Sequence, residues 1–139
     1  MIKKRLIMLL FALLSLSLFA QSEDAESQLK KIFEICKSKN FSEASNYILY
    51  EGDDVNRNFK STYNYSERKE KVAVDRICKK IFALLDISDK YEIKSKSVLD
   101  KNGIKWSVLK VAFISGAQEI EGSFHMTLLN NKYVLGSID

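Results

Sequence analysis

The sequence predicts an α+β fold, with N-terminal helices packed on a four-stranded antiparallel meander that ends the chain. Three observations predict it. Residues 91–138 hold four strand-like runs in succession, separated only by short polar breaks. Two of those breaks, Asn102-Gly103 and Asn130-Asn131, supply residues that tolerate the positive φ of a two-residue type I′ turn. Upstream, two segments repeat apolar residues at the spacing of one helix face.

The strands are expected at about 91–99, 104–114, 118–129 and 132–138. Pairing about Asn102-Gly103 puts Tyr91, Ile93, Leu99, Trp106, Val108, Ala112 and Ile114 on one face, with Leu109, Val111 and Phe113 on the other. The second hairpin groups Phe124, Met126, Leu128, Tyr133 and Leu135, and turns Ser123, His125 and Thr127 the opposite way. The middle turn, around Ser115-Gly116-Ala117-Gln118, decides how the two hairpins join. Two or four turn residues join Leu109, Val111 and Phe113 to Phe124 and Met126. Three join Trp106 and Val108 to them instead, because a one-residue slip reverses every side chain. Both registers stay open. In either, residues 106–114 are apolar on both faces, as in a strand covered on both sides.

At the other end, residues 1–20 read as a secretory signal peptide. Lys3, Lys4 and Arg5 open it, an apolar run broken only by Ser15 and Ser17 follows, and Ala20 offers a small residue before cleavage. The run is shorter than the roughly 20 residues of a membrane-spanning helix. The expected location is therefore exported, periplasmic or secreted, with no membrane association once the leader is removed. The full chain has 22 lysines and arginines against 18 acids, but the three leader cations leave without any acid, so the mature chain carries 19 against 18. That balance, with charges mixed along the chain, gives no push toward nucleic acid. The remainder, 21–139, has no proline and no Gly/Ser-rich linker, and reads as a single domain large enough for one core.

Within it, 25–39 is an amphipathic helix with Leu29, Ile32, Phe33 and Cys36 on its apolar stripe. Asn40-Phe41-Ser42-Glu43 restarts the helix, with Asn40 or Ser42 as cap, and a short second helix runs over 42–50. Residues 51–65 form a polar loop rich in aromatic residues. Tyr47, Tyr50 and Tyr63 are candidates to line a pocket, since each ring is apolar with a polar tip. The competing reading makes such rings the anchors of the loop. The longest helix, about 66–86, presents Val74, Ile77, Cys78, Ile81, Leu84 and Leu85.

Cys36 and Cys78 are the only cysteines. In an oxidising compartment an even count favours a Cys36–Cys78 disulfide, whereas in a reducing one they are buried apolar residues. Their spacing supports neither C-x-x-C redox chemistry nor a zinc site. His125 is the only histidine. Ser123 and Glu121 share its side of the strand, a row that could serve nucleophilic catalysis but also matches the outer side of any strand. Five glycines in the chain leave no phosphate-binding glycine loop. No metal or cofactor site is expected. Trp106 and His125 join the three tyrosines as candidate pocket or interface residues.

The order of elements, with the closing Asn130-Asn131-Lys132-Tyr133-Val134-Leu135-Gly136-Ser137-Ile138-Asp139 and the second-helix stretch 40–49, resembles the cystatin-like, nuclear transport factor 2-like superfamily, in particular its small exported bacterial members of unknown function. The resemblance implies a curved sheet wrapping the helices into a cone, often with a pocket at the open end and often a dimer through the other sheet face. Members with isomerase or cyclase activity use an acid or histidine base inside the cone with a tyrosine-type donor, and none of those residues is matched here position by position. The function expected is an exported, non-catalytic binding module that holds a small apolar or amphipathic ligand between helices and sheet. The alternative is a protein–protein or homodimerisation module using the outer sheet face. A small isomerase or hydratase with His125 as base ranks third.

Overall fold

The computed structural model describes residues 24–139. The leader expected over 1–20 lies outside those residues. Helix α1 (Ala25–Lys37) begins where the Asp24 carboxylate accepts the amide of Ser27 at 2.8 Å, satisfying one free donor of the first turn. The same bond holds the Asp24 carboxyl below its ordinary pKa. Leu29, Ile32, Phe33 and Cys36 are all buried. Asn40 then caps α2 (Phe41–Ala44): its side-chain oxygen accepts the Glu43 amide at 3.4 Å, and its side-chain nitrogen donates to the Glu43 carboxylate at 2.8 Å. Helix α3 (Arg68–Asp86) starts at Glu67, whose carboxylate accepts the Glu70 amide at 3.0 Å.

The second helix is shorter than its sequence suggests. After α2 comes a single 3-10 turn, Ser45–Tyr47, and the backbone is extended at Ile48. Residues 48–50 instead run beside the last strand, with the Leu49 amide donating to the Leu135 carbonyl at 2.8 Å. The Tyr50 amide donates to Ser61 at 2.8 Å and the Tyr63 amide to Ile48 at 3.2 Å. The open edge of the sheet thus offers this segment the backbone partners that helix would have provided, and it takes them. Side chains alternate accordingly. Ile48 and Tyr50 enter the main core, while Leu49 packs with Trp106 and Val134 in a second cluster.

The sheet has four antiparallel strands in the order β1 (Lys90–Lys101), β2 (Ile104–Ser115), β3 (Gln118–Leu129) and β4 (Lys132–Ile138). Asn102 and Gly103 have φ of 54° and 75°, and Asn130 and Asn131 of 50° and 63°, as type I′ turns require. In the middle turn Ser115 pairs with Gln118, so two residues turn the chain, and Leu109 lies opposite Phe124. Of the two registers, the first is the one formed.

Two bulges refine it. A register shift between Ile93 and Ser95 leaves Lys94 as the extra residue, so Tyr91 pairs with Phe113 and Ile93 with Val111. Tyr91 and Ile93 therefore join the helix-facing side, not the side of Leu99 and Trp106 as simple alternation implied. The physical reason is burial. Without the extra residue, Glu92 and Lys94 would face the core and two apolar side chains would face water. The second bulge leaves Gly136 between the pairs His125–Ser137 and Met126–Leu135. Trp106 covers this glycine so closely that a Cβ there would lie 2.4 Å from the indole Cζ3.

Helices α1 and α3 cover one sheet face, and Phe33 fills the space between. Its ring centroid lies 5.0 Å from Tyr91, 5.1 Å from Phe124 and 5.9 Å from Phe113. Leu109 also faces inward, fully buried, so it belongs to the core and not to an exposed sheet face.

Gly136→Ala should destabilise the fold by about 1–3 kcal/mol in urea unfolding, the usual range for overpacking. The cost should shrink in a Trp106→Leu background, and an equal cost in both backgrounds would rule out the indole contact as its cause. Phe33→Ala should cost about 3–5 kcal/mol by the same measurement.

Candidate functional site

The five candidate pocket residues fall into three separate places. Tyr50 and Tyr63 sit together beneath the 51–62 loop, both buried, with ring centroids 5.3 Å apart. The Tyr63 hydroxyl donates to the Glu51 carbonyl at 3.1 Å and accepts the Glu51 amide at 3.3 Å. Burial raises the Tyr63 phenol above its ordinary pKa, which keeps the donated proton in place. The Tyr50 hydroxyl accepts the Asp54 amide at 3.1 Å. These rings are loop anchors, the competing reading of the aromatic cluster.

A residue pair that the sequence reading did not single out completes the anchor. The Arg57 guanidinium lies 4.3 Å above the Tyr50 ring centroid and donates from Nη2 to Glu70 Oε1 at 2.7 Å and to the Thr62 carbonyl at 3.1 Å. The same Glu70 oxygen accepts the Asn64 amide at 3.0 Å. Arg57 and these bonds hold the Glu70 carboxyl below its ordinary value. No local spacing signals this pair, because it joins a loop to a helix and only the folded chain brings the two together.

Tyr47 is elsewhere, at the junction of the 3-10 turn with β4. Lys31 and Lys132 approach its ring centroid to 5.2 Å and 4.7 Å, and Lys132 also donates to the Asn46 carbonyl at 2.7 Å. Trp106 and His125 lie on the sheet face away from the helices, with centroids 6.4 Å apart. Trp106 is buried, so its ring is packing and not a platform. The His125 imidazole Nε2 is 2.8 Å from an Asp139 carboxylate oxygen, whereas Glu121 pairs with Lys110 at 3.4 Å. Ser123 meets Asp139 through the backbone, and among the described residues no hydrogen bond joins its hydroxyl to His125. The row of Ser123, His125 and Glu121 is therefore not assembled as a nucleophile, base and acid. Among the described residues no group of three His, Cys, Asp or Glu is placed to hold a metal ion. Also among them, no helix is long and apolar enough to cross a membrane.

The space between helices and sheet is filled by Phe33, Phe113, Phe124 and their neighbours. An opening exists farther along. Strands of 12 residues, such as β1 and β2, extend about 40 Å, while the 19 residues of α3 extend about 28 Å. The sheet overhangs its helices, and a groove of about 540 Å³ lies against the overhang. Val98, Ile104 and Leu128 supply apolar wall, and Phe59 and Tyr133 supply rings. Val98 is 61% exposed and Leu128 52%, unusual for branched apolar side chains. Lys96 and Lys105 are the only charged residues in the lining, and Lys96 also lies within the electrostatic reach of the Asp24 carboxylate. A signal for this groove was present in the sequence. Strand apolar residues next to hairpin turns lie beyond the reach of shorter helices, so no helix among the described residues covers them.

The fold defines a protein of the α+β class, helices first and an antiparallel meander last. No protein-family model, no curated protein and no solved structure matches the chain.

Arg57 and Glu70 predict a pH dependence with a defined sign. Because the folded-state pKa of Glu70 is depressed, its stabilisation is fully present above the ordinary value of 4.5 and is lost as the pH falls through the folded value. In urea unfolding, wild type should therefore exceed Glu70→Gln at neutral pH, and the gap should close only below pH 4.5. A constant gap across that range would remove the ion pair as its source.

Proposed function

We propose that this chain is an exported, non-catalytic binding module, cone-like in the manner of the cystatin-like, nuclear transport factor 2-like proteins. Its ligand is an amphipathic small molecule carrying an acidic group, and it is held in the groove of the sheet overhang. The observation that supports this reading is the lining. Exposed apolar side chains, Val98 and Leu128, adjoin two lysines, the only charged residues of the lining. The apolar part of such a ligand would cover Val98, Ile104 and Leu128, gaining the stabilisation of apolar surface removed from water. Its acidic group would meet Lys96 and Lys105, each a flexible donor of charge-assisted hydrogen bonds. This places the ligand beyond the helices and not between helices and sheet, where aromatic side chains occupy the space. The leader over 1–20 supports export.

A second reading, docking of a protein or a second copy on the outer sheet face, draws on Leu99, which is 43% exposed beside Trp106 on that face. Beyond its small apolar cluster, that face is charged. It carries the ion pairs Lys94–Glu119 at 3.7 Å and Lys110–Glu121 at 3.4 Å, all four side chains well exposed.

Native mass spectrometry of protein recovered from the producing cell's exported fraction should show a bound small molecule. A fluorescent long-chain carboxylate should bind the purified protein saturably, and more tightly than the alcohol of equal chain length. Replacing both lysines by glutamate (Lys96→Glu with Lys105→Glu) should weaken the carboxylate by about tenfold or more, equivalent to about 1.4 kcal/mol. Equal binding to wild type and the double variant would exclude the groove. An empty dimer in the native spectrum would favour the outer face.

A further inference from the structure

We propose that Cys36 and Cys78 form an intramolecular disulfide that closes while the chain is folding and is sealed from solvent once α1 docks on α3. The two residues stand on the buried stripes of the two helices, and both are fully buried. In the structure they are free thiols, with the Cys36 side chain within hydrogen-bonding reach of Cys78. Because α1 and α3 pack on each other, both thiols lie at the seam of one helix pair, where a bridge needs its two residues close together.

The hydrogen bond with Cys36, and then burial, push the Cys78 thiol far above its ordinary value. Exchange needs a sulfur within reach of the donor disulfide, and in the folded protein both cysteines are fully buried, with no path to either. Oxidation must therefore precede docking. The step is thiol–disulfide exchange with the disulfide of an oxidoreductase. One cysteine thiolate attacks a donor sulfur and breaks the donor S–S bond, forming a mixed disulfide. The second cysteine thiolate then displaces that sulfur. The chain's two S–H bonds become one S–S bond, and the donor leaves as a dithiol carrying both protons and both electrons. The bond ties α1, and with it Phe33, to the longest helix of the fold.

The compartment in this inference rests on the export reading, whereas the pairing and its timing do not. Protein from the exported fraction, unfolded in urea with iodoacetamide, should take up no alkyl group without reductant and two after reduction. Two alkyl groups without reductant would overturn the proposal for the exported protein. In a second experiment the reduced chain is exposed to glutathione disulfide either folded or during refolding from urea. The refolding chain should close the bond, and the folded chain should stay reduced over the same time. Equal rates would overturn the timing, and glutathione adducts at both cysteines without a bridge would overturn the pairing. Recovery of the protein only from the cytoplasm would fail the export reading and leave the glutathione experiment to decide the pairing.

Discussion

Phe33 joins the first helix to three of the four strands, and most of the structure follows from what its ring needs. It touches Tyr91 on β1, Phe113 on β2 and Phe124 on β3. Those rings share one face only because Lys94 is an extra residue in β1 and because the middle turn has two residues. Changing either count by one would turn at least one of these rings toward water. The aromatic cluster thus constrains the bulge, the turn and the placement of α1 together, as a close-packed interior does.

A core packed in this way fills the space between helices and sheet with side chains. The groove lies at the overhang, where strands outrun helices. There the groove is bordered on one side by the β1–β2 hairpin and on the other by Phe59 of the 51–62 loop. The position of that loop depends on Tyr50, Tyr63 and the Arg57–Glu70 pair. Phe59 itself has φ of 60°, an uncommon conformation for an aromatic residue, and its amide donates to the Tyr50 carbonyl at 3.0 Å. The loop anchors are therefore connected to the groove through the backbone, although none of their phenol groups lines it.

The opposite sheet face is organised differently. Trp106 lies over Gly136 and beside His125, and Leu49 and Val134 complete a small second core. This cluster holds the 48–50 segment against β4 and so closes one edge of the sheet. The other edge, β1, pairs with no further strand among the described residues. It carries Lys90, Lys94, Lys96 and Lys101 and a bulge, features that discourage edge-to-edge pairing.

Much of the architecture was legible because it depends on local chemistry. Asn102-Gly103 and Asn130-Asn131 specify turns through backbone preference alone, and the stripe of Leu29, Ile32, Phe33 and Cys36 specifies a helix face through spacing alone. What was not legible depends on partners distant in sequence. Residues 48–50 have apolar side chains suited to helix or strand, and the free edge of β4 decided between them. Tyr50 and Tyr63 were readable as anchors of the loop, but the Arg57–Glu70 pair that completes the anchor was not. Val98, Leu128, Lys96 and Lys105 come to line one groove only through the tertiary fold, in which strands outrun helices. The sequence by itself determined the elements, their order and two of the turns, because these follow from interactions between near neighbours. Only the tertiary structure decided which faces met, where the bulges fell and which apolar side chains stayed uncovered, because burial is a property of the whole packed chain.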